Sequence, residues 1–151
     1  MSFELRAVAW DDPAGLVLRA AQRVELTERY GDPNSEPGPL PTADDMAVYY
    51  VAFDEANRPL GCGGLRALDA EHGEVKRMYV DPAARGTGVS VAILRRLEED
   101  ARGYGWTRLV LETGERQPDA MRFYEREGYH PIPRFGYYAD SELSRCYEKS
   151  L

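Results

Sequence analysis

Glu74-Val75-Lys76-Arg77-Met78-Tyr79-Val80-Asp81-Pro82-Ala83-Ala84-Arg85-Gly86-Thr87-Gly88-Val89-Ser90 carries a strand into a helix through a glycine-rich turn. Val75, Met78 and Val80 are the apolar members of a strand from Glu74 to Val80, and Asp81-Pro82 stops it. The helix runs from Gly88 to Arg102. Ile93, Leu94, Leu97 and Ala101 form its buried stripe, and Gly103 ends it. A glycine turn opening a helix leaves the first backbone N–H groups unpaired, and the helix dipole adds partial positive charge there. Together they suit an anion such as phosphate, and Arg85 adds a full charge at the rim. No Gly-Lys-Ser/Thr follows, so this is not a Walker A loop. Hairpins precede the strand, which argues against a dinucleotide-binding loop at the head of a βαβ series.

The flanking sequence supplies the rest of a mixed fold. Phe3 to Trp10 alternates as a first strand, and Asp11-Asp12-Pro13 opens a helix over about 13–30 that closes at Gly31. Leu16, Val17, Ala20, Ala21 and Val24 recur at helical spacing and predict its buried stripe. Residues 31–45 carry Pro33, Pro37, Pro39 and Pro41 with several acids; this long loop is either functional or a plain surface connection. Ala47–Phe53 and Leu60–Leu68 form a hairpin, and Gly61, Gly63 and Gly64 within it suggest a bulge or a close approach of backbone or ligand. Trp106–Glu112 is a fifth strand with Leu109 and Leu111 on one face. Pro118–Glu127 is a helix with Ala120, Phe123 and Tyr124 inward, and Arg145–Ser150 is a last strand. The order predicts a mixed α/β domain with an antiparallel front and a parallel crossover behind.

Length and composition narrow the function classes. A chain of 151 residues and 17.0 kDa supports one core. No stretch approaches the ~20 apolar residues of a membrane-spanning helix, and the first residues lack a basic segment followed by an apolar block. A net charge of −7 disfavours general affinity for nucleic acid or an anionic membrane. Local basic patches stay open, since all but two of the 19 basic residues are arginine. Cys62, Cys146, His72 and His130 have no metal-site spacing, so no metal is expected. The expectation is a cytoplasmic protein with two reduced thiols.

The segment from Val75 to Gly88 resembles the acetyl-CoA-binding motif of the GNAT N-acetyltransferase superfamily, with Arg85-Gly86-Thr87-Gly88 as its loop. Ala120-Met121-Arg122-Phe123-Tyr124-Glu125-Arg126-Glu127-Gly128-Tyr129 resembles the family's second motif, A-x-x-[LF]-Y-x-x-x-G-[FY]. The likeness covers about residues 47–130; Ser90 departs from it, standing where Gly or Ala is usual. It implies a GNAT-like single domain over 1–151, with a central mixed, mostly antiparallel sheet flanked by helices and splayed strands four and five. Its cofactor-binding core would lie at about 74–130 and take acetyl-CoA. The resemblance assigns the pyrophosphate to the backbone around Arg85, Gly86, Thr87, Gly88, Val89 and Ser90 and the pantetheine arm to Met78, Tyr79 and Val80. An extended amide arm can add as a strand to a freed sheet edge.

The resemblance further implies Tyr124 as the acid that protonates the departing thiolate, a task suited to a phenol with pKa near ~10. By spacing alone Tyr124 reads first as a half-buried core aromatic. The amine must lose a proton. Glu74, at the start of strand four, is the first candidate base, against a reading as an exposed strand-end carboxylate. Glu28, which continues the apolar stripe of the first helix, and Glu25 on its flank are further candidates at the substrate, against a solvated last turn. Lys76 and Arg77, on consecutive strand positions, should face opposite sides of the sheet. The inward one could pair with Glu74 or hold an acid group on the acceptor, whereas the net charge favours a cationic amine. His130, Arg134, Tyr137 and Tyr138 fall in a stretch that often closes the acceptor pocket in the family. The expected function is N-acetylation of a small-molecule primary amine, such as an amino acid or related metabolite, by direct attack, with an acyl-CoA-binding module or a protein N-acetyltransferase as alternatives. The resemblance also allows a homodimer, although no exposed stripe in the sequence marks an interface.

Overall fold

The computed structural model describes residues 2–151. Seven strands form one sheet: β1 Phe3–Ala7, β2 Met46–Asp54, β3 Pro59–Ala67, β4 His72–Val80, β5 Arg108–Gly114, β6 His130–Ile132 and β7 Ser144–Ser150. Their spatial order is β1-β2-β3-β4-β5-β7-β6. Every pairing is antiparallel except β4 with β5. Three α-helices flank the sheet: α1 Pro13–Tyr30, α2 Val89–Gly103 and α3 Pro118–Arg126. The expected fold is therefore present, with its parallel crossover carried by α2. Strand β6 lies in the stretch read as irregular, and β1 is shorter than expected because the chain turns at Ala9–Asp12 toward α1.

The core divides between the two faces. Val89, Ile93, Leu94, Leu97 and Ala101 of α2 pack with Leu60, Leu65, Leu109 and Leu111 of the sheet. On the other face Leu18 of α1 packs with Tyr49, Val51, Phe53 and Cys62. Gly63 of β3 belongs to this packing logic: a Cβ there would lie 2.4 Å from Met78 Sδ and 2.9 Å from Ile93. The close approach inferred for the β3 glycines is thus made, at Gly63, by protein atoms.

The orientation of α1 differs from expectation. Leu16, Val17 and Val24 are exposed, and Ala20 with them. The inward side instead carries Gly15, Leu18, Gln22 and Leu26. Gly15 lets the helix close on Tyr49, since a Cβ there would sit 2.5 Å from that ring. Gln22 donates to the Met78 carbonyl at 3.1 Å. The helix is thus seated by small-residue contact and a polar anchor, and its most apolar stripe faces out.

Candidate functional site

The opening between β4 and β5 organises the site. The two strands pair only at His72↔Arg108, Gly73↔Leu109 and Glu74↔Val110. Beyond that point β5 continues to Gly114 against β7, while β4 continues to Val80 against β3. The edge of β4 facing β5 is thereby freed from Val75 onward. A bulge sharpens the divergence. Cys62↔Tyr79 is followed by Gly64↔Lys76, so β4 spends one more residue than β3 over this interval. Arg77 takes up the extra residue with φ 59°, in the left-handed region.

The bulge also corrects the expected alternation of Lys76 and Arg77. Both side chains reach the same carboxylate, Glu36 of the loop 31–45: Arg77 at 2.8 Å and Lys76 in close contact. Burial alone would raise the Glu36 pKa, but hydrogen bonding from Arg77 and the charges of both cations hold it below the ordinary value. The proline-rich loop is thus tied across the mouth of the site. Gly38 beside the Tyr137 ring ties it to the C-terminal segment.

A cavity of about 150 Å³ fills the opening. Val75–Met78 of β4 and Glu112–Gly114 of β5 form its walls; Gln22, Leu26 and Tyr30 of α1 and Tyr124 of α3 close it. A second space of about 260 Å³ extends along Met78–Val80 to Arg85 and Ser90, with Tyr124, Ala120, Gln22 and Leu26 common to both. At its far end lies the N-terminus of α2. Gly86 (φ 79°) and Gly88 (φ 89°) adopt backbone that glycine alone enters freely, and a Cβ on either would meet open space. Gly88 caps α2 without a side-chain hydrogen bond, so the first N–H groups remain available. Thr87 bonds back to the Ala84 carbonyl, and the Val89 side chain is buried in the core, so these two contribute through backbone. Tyr79 lies under the Arg85 guanidinium at 5.6 Å.

Tyr124 joins the two spaces. Its ring packs on Phe123 and Tyr129. Tyr129, Tyr138 and Tyr147 each give their hydroxyl to a carboxylate. Among the described residues, Tyr124 has no such partner. Burial pushes its pKa up, so the phenol stays protonated and is a donor at any physiological pH.

Glu74 lies within the closed part of the sheet. It is 1% exposed and lines none of the cavities described. Arg66 binds one carboxylate oxygen at 3.0 Å, and the Tyr138 hydroxyl donates to the other at 2.7 Å. Lys76 stands 3.8 Å from that same oxygen. The reason is register: Glu74 is the last β4 residue still paired to β5, inside the closed part of the sheet. Breaking a buried ion cluster from one side leaves the remaining charges uncompensated. Glu74→Ala should therefore lower stability by about 3–5 kcal/mol, read from denaturant unfolding.

Two carboxylates line the cavity: Glu36, already paired with Lys76 and Arg77, and Glu112, two residues further along β5 than the last β4 pair. Burial pushes the Glu112 pKa up to about 7. Glu36 and Glu74 add to the rise; the Ser144 hydroxyl, donating at 2.7 Å, and the Lys76 charge oppose it. Sequence reading passed over it as a strand end. The available signal was its alternation with Val110 on the strand face opposite Leu109 and Leu111.

The other substrate candidates separate. Glu25 lines the outer space, where it binds Arg85 at 2.7 Å and Arg29 at 2.9 Å. Glu28 sits on the exposed side of α1 and lines neither space, a consequence of the helix orientation. Tyr138 is buried at the Glu74 cluster, whereas Tyr137 is exposed. Both cysteines are free. Burial drives the Cys62 thiol up to about 11, and it donates to the Arg77 carbonyl at 3.3 Å. Cys146 is also raised by burial and lines a surface hollow outside the opening. Neither is set up as a nucleophile.

Comparison with known proteins agrees with this geometry. The acetyltransferase (GNAT) family model matches residues 16–129. An IAA acetyltransferase of Azospirillum brasilense is 42% identical over 114 residues, covering 74% of each chain. A Klebsiella pneumoniae structure described as an acyl-CoA N-acyltransferase superposes with TM-score 0.84 at 29% identity, over 99% of this chain and 97% of that one. A GNAT family acetyltransferase from Elizabethkingia anophelis with acetyl-CoA bound shares the fold at TM-score 0.73 and 17% identity, over 99% and 98% of the two chains.

Proposed function

Because the chain belongs to the acetyltransferase (GNAT) family and is an acetyl-CoA-dependent acyltransferase, we propose that it acetylates a small-molecule primary amine by direct attack, with Glu112 as general base and Tyr124 as general acid. The observation that carries this reading is a half-buried carboxylate with a pKa near neutrality, sharing one cavity with a phenol that has no hydrogen-bond partner among the described residues. The loop 31–45 lies over the opening and suits a small acceptor better than a protein segment.

Acetyl-CoA supplies the acetyl group already activated as a thioester. The residues present fit that molecule: free N–H groups at Gly88–Ser90 for the pyrophosphate, and a freed edge at Met78–Val80 for the pantetheine arm. Residues of about 74–130 then form the cofactor-binding core. Glu112 takes a proton from the ammonium group of the acceptor, which a base near pKa 7 does at neutral pH. Main-chain N–H groups on the freed edge of β4 stabilise the charge that develops on the carbonyl oxygen. As the C–N bond forms and the C–S bond breaks, Tyr124 gives its proton to the departing sulfur and regains one from the proton that the nitrogen sheds on becoming an amide. The raised thiols of Cys62 and Cys146 favour direct attack over a cysteine-bound acyl group.

The first test is thermal unfolding against acetyl-CoA, with dephospho-CoA for comparison, followed by thiol release with a panel of amines. At ligand 100-fold above its Kd, stabilisation should be about 2.7 kcal/mol, a Tm rise of about 5–10 °C for this size. A rise together with thiol release on small amines supports the reading. A rise with no release on any of them would leave the donor site standing and remove the proposed acceptor class.

A further inference from the structure

The proposed transfer places the amine near Glu112 but does not account for a third cavity, of about 390 Å³, between α1 and the loop 31–45. It adjoins the Glu112 cavity through Gln22, Leu26, Ser35, Glu36 and Arg77, which line both. Its charge is lopsided. Arg19, Arg23 and Arg77 line it against one carboxylate, Glu36. Glu36 is already engaged by Lys76 and Arg77.

The other two arginines have no acidic partner among the described residues. Arg19 lies over Trp10 at 3.6 Å and within 5.0 Å of the Tyr49 ring, which fixes its guanidinium. Its Nη2 donates to the Trp10 carbonyl at 2.6 Å, whereas Nη1 is buried without a partner. Arg23 reaches only the Asn34 side chain, at 3.4 Å. A chain of net charge −7 has ample carboxylate to neutralise these groups and does not place it here. Clustered cations in a concave, partly desolvated wall create a positive potential that an anion satisfies through charge-assisted hydrogen bonds.

We propose that the acceptor is a primary amine that also carries an anionic group, a carboxylate or a phosphonate, which this third cavity holds through Arg19, Arg23 and Arg77 while the amine faces Glu112. Trp10, Leu40 and Pro41 line the same cavity and offer an apolar wall for the carbon frame. The inference rests on the acetyl-transfer reading and adds the acceptor's second recognition element.

The test compares three sets of acceptors by thiol release at saturating acetyl-CoA: α- and ω-amino carboxylic acids, the matching aminoalkylphosphonic acids, and the carboxamides of the acids. At least one anionic set should exceed the carboxamides ten-fold or more in kcat/KM, and the ratio of acid to phosphonate identifies the anion. Arg23→Gln should raise KM for the preferred anionic acceptors at least five-fold while leaving kcat/KM for the carboxamides unchanged. Carboxamides used as well as the acids, or an Arg23→Gln loss shared equally by both, would overturn the inference and leave acetyl transfer intact. Failure of all amines, neutral and anionic, would overturn both.

Discussion

Glu112→Gln should lower kcat by about 10²–10⁴-fold, the range for loss of a positioned general base, and at the same time make the protein more stable above pH 7. The two effects share one cause. Glu112 is half-buried near the Glu36 and Glu74 charges, and desolvation pushes its pKa up to about 7 from 4.5. A group whose folded pKa is raised binds protons more tightly in the folded state. Stability therefore falls as pH rises from about 4.5 to 7 and stays reduced above that. The cost is of order 3 kcal/mol by the linkage relation. Gln keeps the shape and the contact with Ser144 but never ionises, so it escapes this loss. Wild type should show an acid limb near pH 7 in kcat/KM, absent from the residual activity of the variant. Denaturant unfolding at pH 8 and pH 5 checks the other half: the stability gain should be present at pH 8 and shrink at pH 5. An active Gln variant, or one destabilised at pH 8, would remove Glu112 from the base role.

What was legible in the sequence follows from which physical rule governed each part. The turn from Arg85 to Gly88 was readable because positive φ at Gly86 and Gly88 demands glycine locally. The α2 stripe was readable because that helix lies on a dry sheet face, where apolar period and burial coincide. Helix α1 broke the same rule. Its inward side borders the site, so it carries Gly15 for contact and Gln22 for the Met78 carbonyl, and the more apolar stripe lost the competition. Glu112, the base proposed here, escaped notice in the sequence for a related reason. Glu74 and Glu112 are both carboxylates on adjacent strands, and only the register of β4 on β5 decides which lies in the closed sheet and which in the opening. That register, like the bulge that turns Lys76 and Arg77 onto Glu36, is a long-range property of strand pairing. Glu36 itself had no local signature, because its role comes from loop closure across 40 residues of chain.

Tyr124→Phe should lower kcat by about 10²-fold or more, at the low end of general acid effects, with KM for acetyl-CoA and the unfolding free energy almost unchanged. The separation follows from how the side chain is held. Its ring is fixed by Phe123 and Tyr129 and by burial against the core, contacts that Phe preserves. Its hydroxyl has no partner in the protein among the described residues, so removing it orphans no other polar group, the usual source of a large cost. Tyr129 is the control. It lies nearby, but its hydroxyl donates to buried Glu98 at 2.8 Å, which also binds Arg95 and Lys149. Tyr129→Phe should therefore destabilise by about 1–3 kcal/mol while sparing kcat in the folded fraction. The raised pKa of Tyr124 bears on the mechanism as well. A phenol kept protonated by burial is a reluctant acid toward water but a ready donor to a thiolate forming in the same dry space. Its loss should therefore be felt most for thioesters whose thiol leaves poorly. A kcat unchanged in Tyr124→Phe would mean that the departing sulfur is stabilised by another group, and the candidate in the structure is then the freed N–H edge of β4.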